Sequence, residues 1–269
     1  MSRVKTLALA VVVLFALTGC APLFEFNLFG ALDTPPTPTL ADYTDAGGLD
    51  ALGEDLNSPA TVEALAANPS LVQEIEDYLW DTYIGDGGGV ENEEDSQAAI
   101  LYADLALKTS EGENLVNNVV EALLDGTLGS SSNIGTLLAA IIPPEALASE
   151  AIFTDMVEAL LAANDAYEQL GIYVDFDGDG HLTNQLPPGS APGDVVQKSI
   201  VAYTMYAMVD AVVTGLPTTE SDAIVQLFLV ATNATTDPRY DTDMGTLTVE
   251  PMASPPPWLQ ALMELAPLP

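Results

Sequence analysis

Apolar positions recur every three or four residues along most of this chain, a spacing that predicts helices almost throughout. Ser58-Pro59 and Asn68-Pro69 each set a capping side chain before a proline, which predicts two helix starts in succession. The second of these helices carries Leu71, Val72, Ile75, Tyr78 and Leu79 on one broad face, with Trp80 beside it. Further helices fit residues 97–109, 113–125, 134–142 and 150–170. The last holds Phe153, Met156, Val157, Leu160, Tyr167 and Leu170 at the spacing of a buried face. Residues 195–213 and 221–234 are apolar nearly all round, which predicts helices at the centre of a bundle. Neither reaches the roughly twenty apolar residues of a membrane span. Strand signals are confined to 172–174 and 245–249. The expectation is an all-α, multi-helix bundle with two apolar central helices.

Proline-rich stretches divide the chain. Residues 33–39 (Asp-Thr-Pro-Pro-Thr-Pro-Thr) form a stiff, extended linker. Residues 251–269 form a proline-rich tail with a short amphipathic helix at 258–266, whose Trp258, Leu259, Leu262 and Met263 should dock. One helical domain is expected over 45–250, long enough for a sizeable core. Residues 85–95 are an acidic, glycine-rich loop. Val-Glu-Ala-Leu-Leu occurs at 120–124 and 157–161, and Val62 to Leu65 comes close, but the intervals are unequal and read as shared helix grammar. Residues 166–173 faintly resemble the end of the first helix of a tetratricopeptide repeat.

The first twenty residues carry an address. Arg3 and Lys5 precede an apolar run from Leu7 to Leu17, and then comes Leu17-Thr18-Gly19-Cys20. This is the layout of a secretory signal over 1–19, too short for a spanning helix. Its end resembles the bacterial lipobox, in which the cysteine is acylated and becomes the mature N-terminus. Cys20 is the one cysteine in the chain, so no intramolecular disulfide can form. Residues 20–44 then read as a lipidated tether and linker. Ala21 is not the Asp that retains such lipoproteins at the inner membrane, so the resemblance implies export and anchoring at the outer membrane. Leu23, Phe24, Phe26, Leu28 and Phe29 are apolar, and are expected to dock on the domain or lie at the membrane interface.

Charge narrows the partners. Five Lys and Arg stand against forty Asp and Glu, a net of −35. Loss of residues 1–19 removes Arg3 and Lys5 but no acid, which takes the net charge to about −37. Such a field repels nucleic acid and anionic head groups, which excludes a nucleic-acid role. Solubility, or a saline habitat in which an acidic surface stays hydrated, is the first explanation of the charge, and attraction to divalent cations or a basic partner is the second.

One stretch carries candidate metal chemistry. Asp175, Asp177 and Asp179 alternate, Gly180 follows, and His181-Leu182-Thr183 complete the run. Ca²⁺ needs roughly six to eight oxygens, and aspartates at every second position around a glycine turn supply them. The stretch, 175–184, resembles the EF-hand calcium loop, with the three aspartates at positions one, three and five. The resemblance implies that His181 lends its carbonyl at seven, Leu182 fills the apolar eighth place and Thr183 sits at nine. Position twelve holds Leu186 instead of glutamate, so the last ligand must come from elsewhere. Asp194 is the nearest in the chain, followed by Asp165 and Glu168. With an extended 172–174 before it and Pro187-Pro188-Gly189 after it, the loop is expected to stand alone, without paired flanking helices.

His181 is the one histidine, so Ser-His-Asp, Cys-His and histidine-based zinc sites cannot be assembled. No phosphate-cradling loop is present. The sequence therefore points to a calcium-stabilised lipoprotein with a non-catalytic structural or partner-binding role, its expected partners being the membrane and an envelope protein. A carrier of an apolar ligand, with a cavity around Tyr203, Met205, Tyr206 and Met208, is the alternative. A tetratricopeptide-like scaffold or a carboxylate-based enzyme comes behind both.

Overall fold

Among the described residues of the computed structural model there are twelve α-helices and one 3₁₀ turn, and no strand. Those residues are 38–85, 89–124, 134–175, 182–246 and 255–265, and they fall in one unit that begins at Pro38. In order, the helices are α1 (Ala41–Thr44), α2 (Gly48–Leu56), α3 (Pro59–Ala66), α4 (Pro69–Ile84), α5 (Glu93–Thr109) and α6 (Gly112–Leu124). They continue as α7 (Ile134–Ile141), α8 (Pro144–Ala148), α9 (Glu150–Val174), α10 (Pro192–Gly215) and α11 (Glu220–Ala231). The 3₁₀ turn Thr242–Thr246 and α12 (Pro257–Leu265) follow.

The chain chemistry at the helix starts explains several boundaries. α3 and α4 begin at the two expected prolines, but Ser58 and Asn68 make no side-chain capping hydrogen bond. The fixed φ of proline in the first turn is enough to set these starts. α5 begins four residues before the expected 97, because the Asn92 side chain accepts from the backbone N–H of Glu94 (2.8 Å) and Asp95 (3.1 Å). Glu93, Glu94 and Asp95 thus occupy a first turn, where exposed N–H groups and the helix dipole favour negative charge. Part of the acidic run at 85–95 is therefore the start of a helix. The helical unit also begins before residue 45: Tyr43 is fully buried, and its hydroxyl donates to Asp55 at 2.8 Å.

The most extensive helix–helix interface joins α5 and α9. α5 buries Ala98, Ala99, Ala103 and Ala106 together with Leu101 and Leu105, so that most of its circumference is covered. α9 buries a stripe at Phe153, Met156, Val157, Leu160, Ala163 and Tyr167, the three-and-four spacing expected from the sequence. Small residues on both helices allow close approach of the backbones. α4 also packs on α5, while α10, α11 and α12 pack on α9.

The expected strand at 172–174 is helix. α9 does not stop at Leu170-Gly171 but runs on to Val174, 25 residues in all. Gly171 looks like a terminator in the sequence, yet it serves as a contact. A Cβ at this position would lie 2.8 Å from both the Cβ and the carbonyl oxygen of Trp258. α12 therefore lies directly on the glycine face of α9, with Leu259, Ala261 and Leu262 fully buried. This is the docking that the amphipathic tail required. At the second expected strand, Gly245 and Thr246 belong to the 3₁₀ turn, and 247–249 lie outside the described residues.

α10 and α11 meet at 106°. α10 buries Val195, Val196, Val201, Ala202, Met205 and Val209, and Tyr206 is exposed. Among the described residues no single helix is long and apolar enough to cross a membrane.

Candidate functional site

The calcium-type loop leaves directly from the end of α9. Asp175, its first residue, caps the helix and is only 3 % exposed. The chain returns to the same point: the Val174 carbonyl accepts from the Thr183 N–H (2.6 Å), the Thr183 hydroxyl (3.0 Å) and the Asn184 N–H (3.1 Å). The Asn184 side-chain amide donates to the Tyr173 carbonyl at 2.6 Å. Entry and exit of the loop are thus closed on the last turn of α9, so that a helix does lead into it, contrary to the sequence expectation. No helix leads immediately out, since α10 begins only at Pro192, after Pro187-Pro188-Gly189. Asp177, Asp179 and His181 lie outside the described residues, as does Cys20. Among the described residues, no group of three or more His, Cys, Asp or Glu is arranged to hold a metal ion.

Sequence reasoning overlooked one carboxylate at this seam. Glu264, near the end of α12, accepts from the Leu182 N–H at 3.3 Å across 82 residues of chain. Its position follows from the packing of α12: Trp258 sits on Gly171 and meets Tyr203 of α10 edge to face, ring centroids 5.7 Å apart. The two upstream candidates fare differently. Because α9 continues to Val174, Asp165 and Glu168 lie about 15 Å and 10 Å back along its axis from Asp175. Burial pushes both carboxyls above the ordinary carboxylate range, and Asp165 adds to the shift of Glu168.

Asp194 stands in the first turn of α10 and is bound to Lys198. The Lys198 ammonium, 3 % exposed, reaches Asp194 at 2.7 Å and Asp104 of α5 at 2.8 Å. Burial alone would lower the pKa of this ammonium, but the two carboxylates outweigh it and the net shift is upward. Beside them the Tyr167 hydroxyl is fully buried, and its pKa is driven well above the usual range by burial and then by Asp104, Asp194 and Glu113. A cleft of about 500 Å³ opens here, bounded by Asp50, Gln97, Asp104 and Asp194.

The other cations are also committed. Lys108 donates to the Leu56 carbonyl at 2.9 Å. Arg239 clamps Glu150 with two bonds of 2.8 and 2.9 Å and pairs with Asp237 at 3.1 Å. Each of the three ties together segments distant in sequence, which is a structural use of the charge.

The four residues of the carrier alternative are dispersed around α10. Met205 is buried, Tyr203 packs on Trp258, Met208 is half-buried and Tyr206 is 41 % exposed. None of them lines the cleft beside Lys198. No protein-family model matches the chain, and no curated protein or solved structure matches it.

Proposed function

We propose that this is an exported lipoprotein, anchored through Cys20, whose calcium-stabilised helical domain acts by binding an envelope protein and carries out no catalysis. The observation that carries the reading is the seam at the end of α9. There a buried Asp175 opens the loop, Val174 closes it, and Glu264 of α12 reaches its exit. Ca²⁺ held by Asp175, Asp177, Asp179, the His181 carbonyl and Thr183 would fasten α12 to the end of α9. In this reading Glu264 supplies the ligand missing at position twelve, and Asp194 belongs to Lys198 instead. Such a site, without the usual glutamate, is expected in the roughly 10⁻⁴–10⁻³ M range of extracellular calcium modules.

Calorimetry of the full chain with and without millimolar Ca²⁺ tests this. Ca²⁺ should raise the melting temperature more than Mg²⁺ does, and Asp177→Ala with Asp179→Ala should abolish the difference. Glu264→Gln should shift the calcium titration to higher concentration, whereas Asp194→Asn should change the melt equally with and without Ca²⁺. The absence of a calcium heat in the unaltered protein would remove the metal from the proposal. Mass spectrometry finding Cys20 unmodified would remove the anchor.

A further inference from the structure

α3 and α4 form one bank of a groove, the first half of α9 forms the other, and α5 lies at its floor. Two adjoining cavities of about 690 and 420 Å³ share Ala66, Thr109, Ser110 and Asp155, so they form one continuous channel. Its walls are apolar where they are deepest: Val62 and Val72 on one bank, Ala159 and Ala162 on the other, Ala106 below. Ile152, 38 % exposed, projects at one end. Tyr102 closes the other end and leads to Trp80, which is 40 % exposed and lies 6.0 Å from it between ring centroids. From Ile152 to Ala162 the groove follows ten residues of helix, about 15 Å, the length of roughly three helical turns.

The rim has one sign of charge. Glu63, Glu76, Glu111, Glu113, Asp155 and Glu158 line it. The one lining cation, Lys108, is held by the Leu56 carbonyl. We infer that this groove is the docking site for a basic amphipathic helix of a partner protein, with apolar side chains on the floor and Lys or Arg against the carboxylate rim. The inference rests on the protein-binding reading above and specifies the partner's chemistry. Helices laid in apolar grooves are a common mode of recognition, and an exposed Trp at the end of such a groove is a frequent anchor. Burial and the neighbouring Asp77 push the Glu76 carboxyl up, while burial, Asp155 and Glu220 do the same to Glu158. An arriving cation relieves both. Two other occupants are disfavoured by charge. Residues 22–32 of this chain carry Glu25 and no Lys or Arg, and a second copy would bring another net charge of −35.

The test uses the full chain in nanodiscs of zwitterionic lipid, to which a cationic peptide is not drawn by charge. The probe is a synthetic 14-residue helix with leucines on one face and lysines flanking it, carrying a fluorophore whose anisotropy reports binding. A scrambled peptide of the same composition should bind at least tenfold more weakly. Ala66→Phe, which fills the shared middle of the groove from an exposed position, should weaken binding of the probe at least tenfold. Glu63→Gln with Asp155→Asn and Glu158→Gln should weaken it and flatten its salt dependence. Equal binding of the scrambled peptide, or no effect of Ala66→Phe, would mean that charge alone attracts the probe, and would overturn the proposal. Tighter binding after deletion of residues 22–32 would also overturn it, by making that segment the native occupant. In cells, a photo-crosslinking residue at Ala162 should capture an envelope protein and one at Thr214 of α10 should not. Capture from Thr214 alone would refute the groove while leaving a protein-binding role intact, and capture from neither would refute both.

Discussion

Two Gly→Ala substitutions, chemically the same, should change stability in opposite directions. In the interior of a helix, alanine is favoured over glycine by about 0.8–1.0 kcal/mol, since glycine loses more backbone freedom on folding. At Gly53 of α2 a new Cβ would find only Leu101 Cδ2, at the ordinary contact distance of 3.6 Å. Gly53→Ala should therefore gain most of that propensity. At Gly171 of α9 the new Cβ would sit 2.8 Å from the Cβ and carbonyl oxygen of Trp258 and 2.9 Å from its ring. One of these atoms is backbone, so α12 must move. Overpacking of this kind costs about 1–3 kcal/mol. The propensity gain is common to both variants, and their difference isolates the steric cost. At about 2–4 °C per kcal/mol for a domain of this size, Gly171→Ala should melt about 2–12 °C below Gly53→Ala. Gly171→Val, with two more methyl groups against the same backbone, should fall lower still. Thermal melts followed by circular dichroism give the stability, and fluorescence in a Trp80→Phe background, where Trp258 is the one tryptophan, shows whether α12 has shifted. If both alanine variants are equally stabilised, Trp258 does not lie on Gly171 and the packing of α12 described above is wrong.

Three further outcomes follow from the charges. Lys198→Met should cost about 2–4 kcal/mol, because it leaves Asp104 and Asp194 facing each other across a partly buried site; urea titration measures this, and Asp104→Asn, at the more buried partner, should cost more than Asp194→Asn. Glu76, Glu158, Asp165 and Glu168 all have carboxyls raised above their unfolded values of 4.5 or 3.8, so the native state holds their protons more tightly. The stability they contribute is complete below those unfolded values and is lost as pH rises through the folded ones. The calcium-free protein should thus gain melting temperature when taken from pH 7 into the mildly acidic range, and a flat profile would contradict these shifts. Added NaCl should also raise the melting temperature at saturating Ca²⁺, since the Debye length contracts from about 30 Å at 0.01 M to about 3 Å at 1 M; no response would mean the acids are too dispersed to repel.

The helices were legible because the three-and-four spacing of Phe153, Met156, Val157 and Leu160 is a local signal that burial then obeys. Gly171 misled because glycine reads as a stop, and its reason for being there, Trp258, lies far along the chain. The start of α5 was hidden by its acids, which resemble a loop until Asn92 is recognised as a cap. At the candidate site, the sequence singled out the stretch 175–184 and Asp194, but not the contact of Glu264 with Leu182 nor the pairing of Asp194 with Lys198. Nothing in the local pattern shows that Lys198 recruits Asp104 from 94 residues away and engages Asp194. Nor does it show that α12 brings a carboxylate to the loop's exit. Both are facts of tertiary packing.

The scarcity of cations has a further consequence. A protease of trypsin-like specificity finds only Lys108, Lys198 and Arg239 to cut after beyond residue 20. Lys198 lies inside α10 and Lys108 in the last turn of α5, so the helix must unwind there before either can enter an extended cleavage cleft. Arg239 lies outside any helix, but Glu150 and Asp237 hold the guanidinium that the protease must claim. The ion pair that joins Arg239 to α9 thus also competes for a cleavage point.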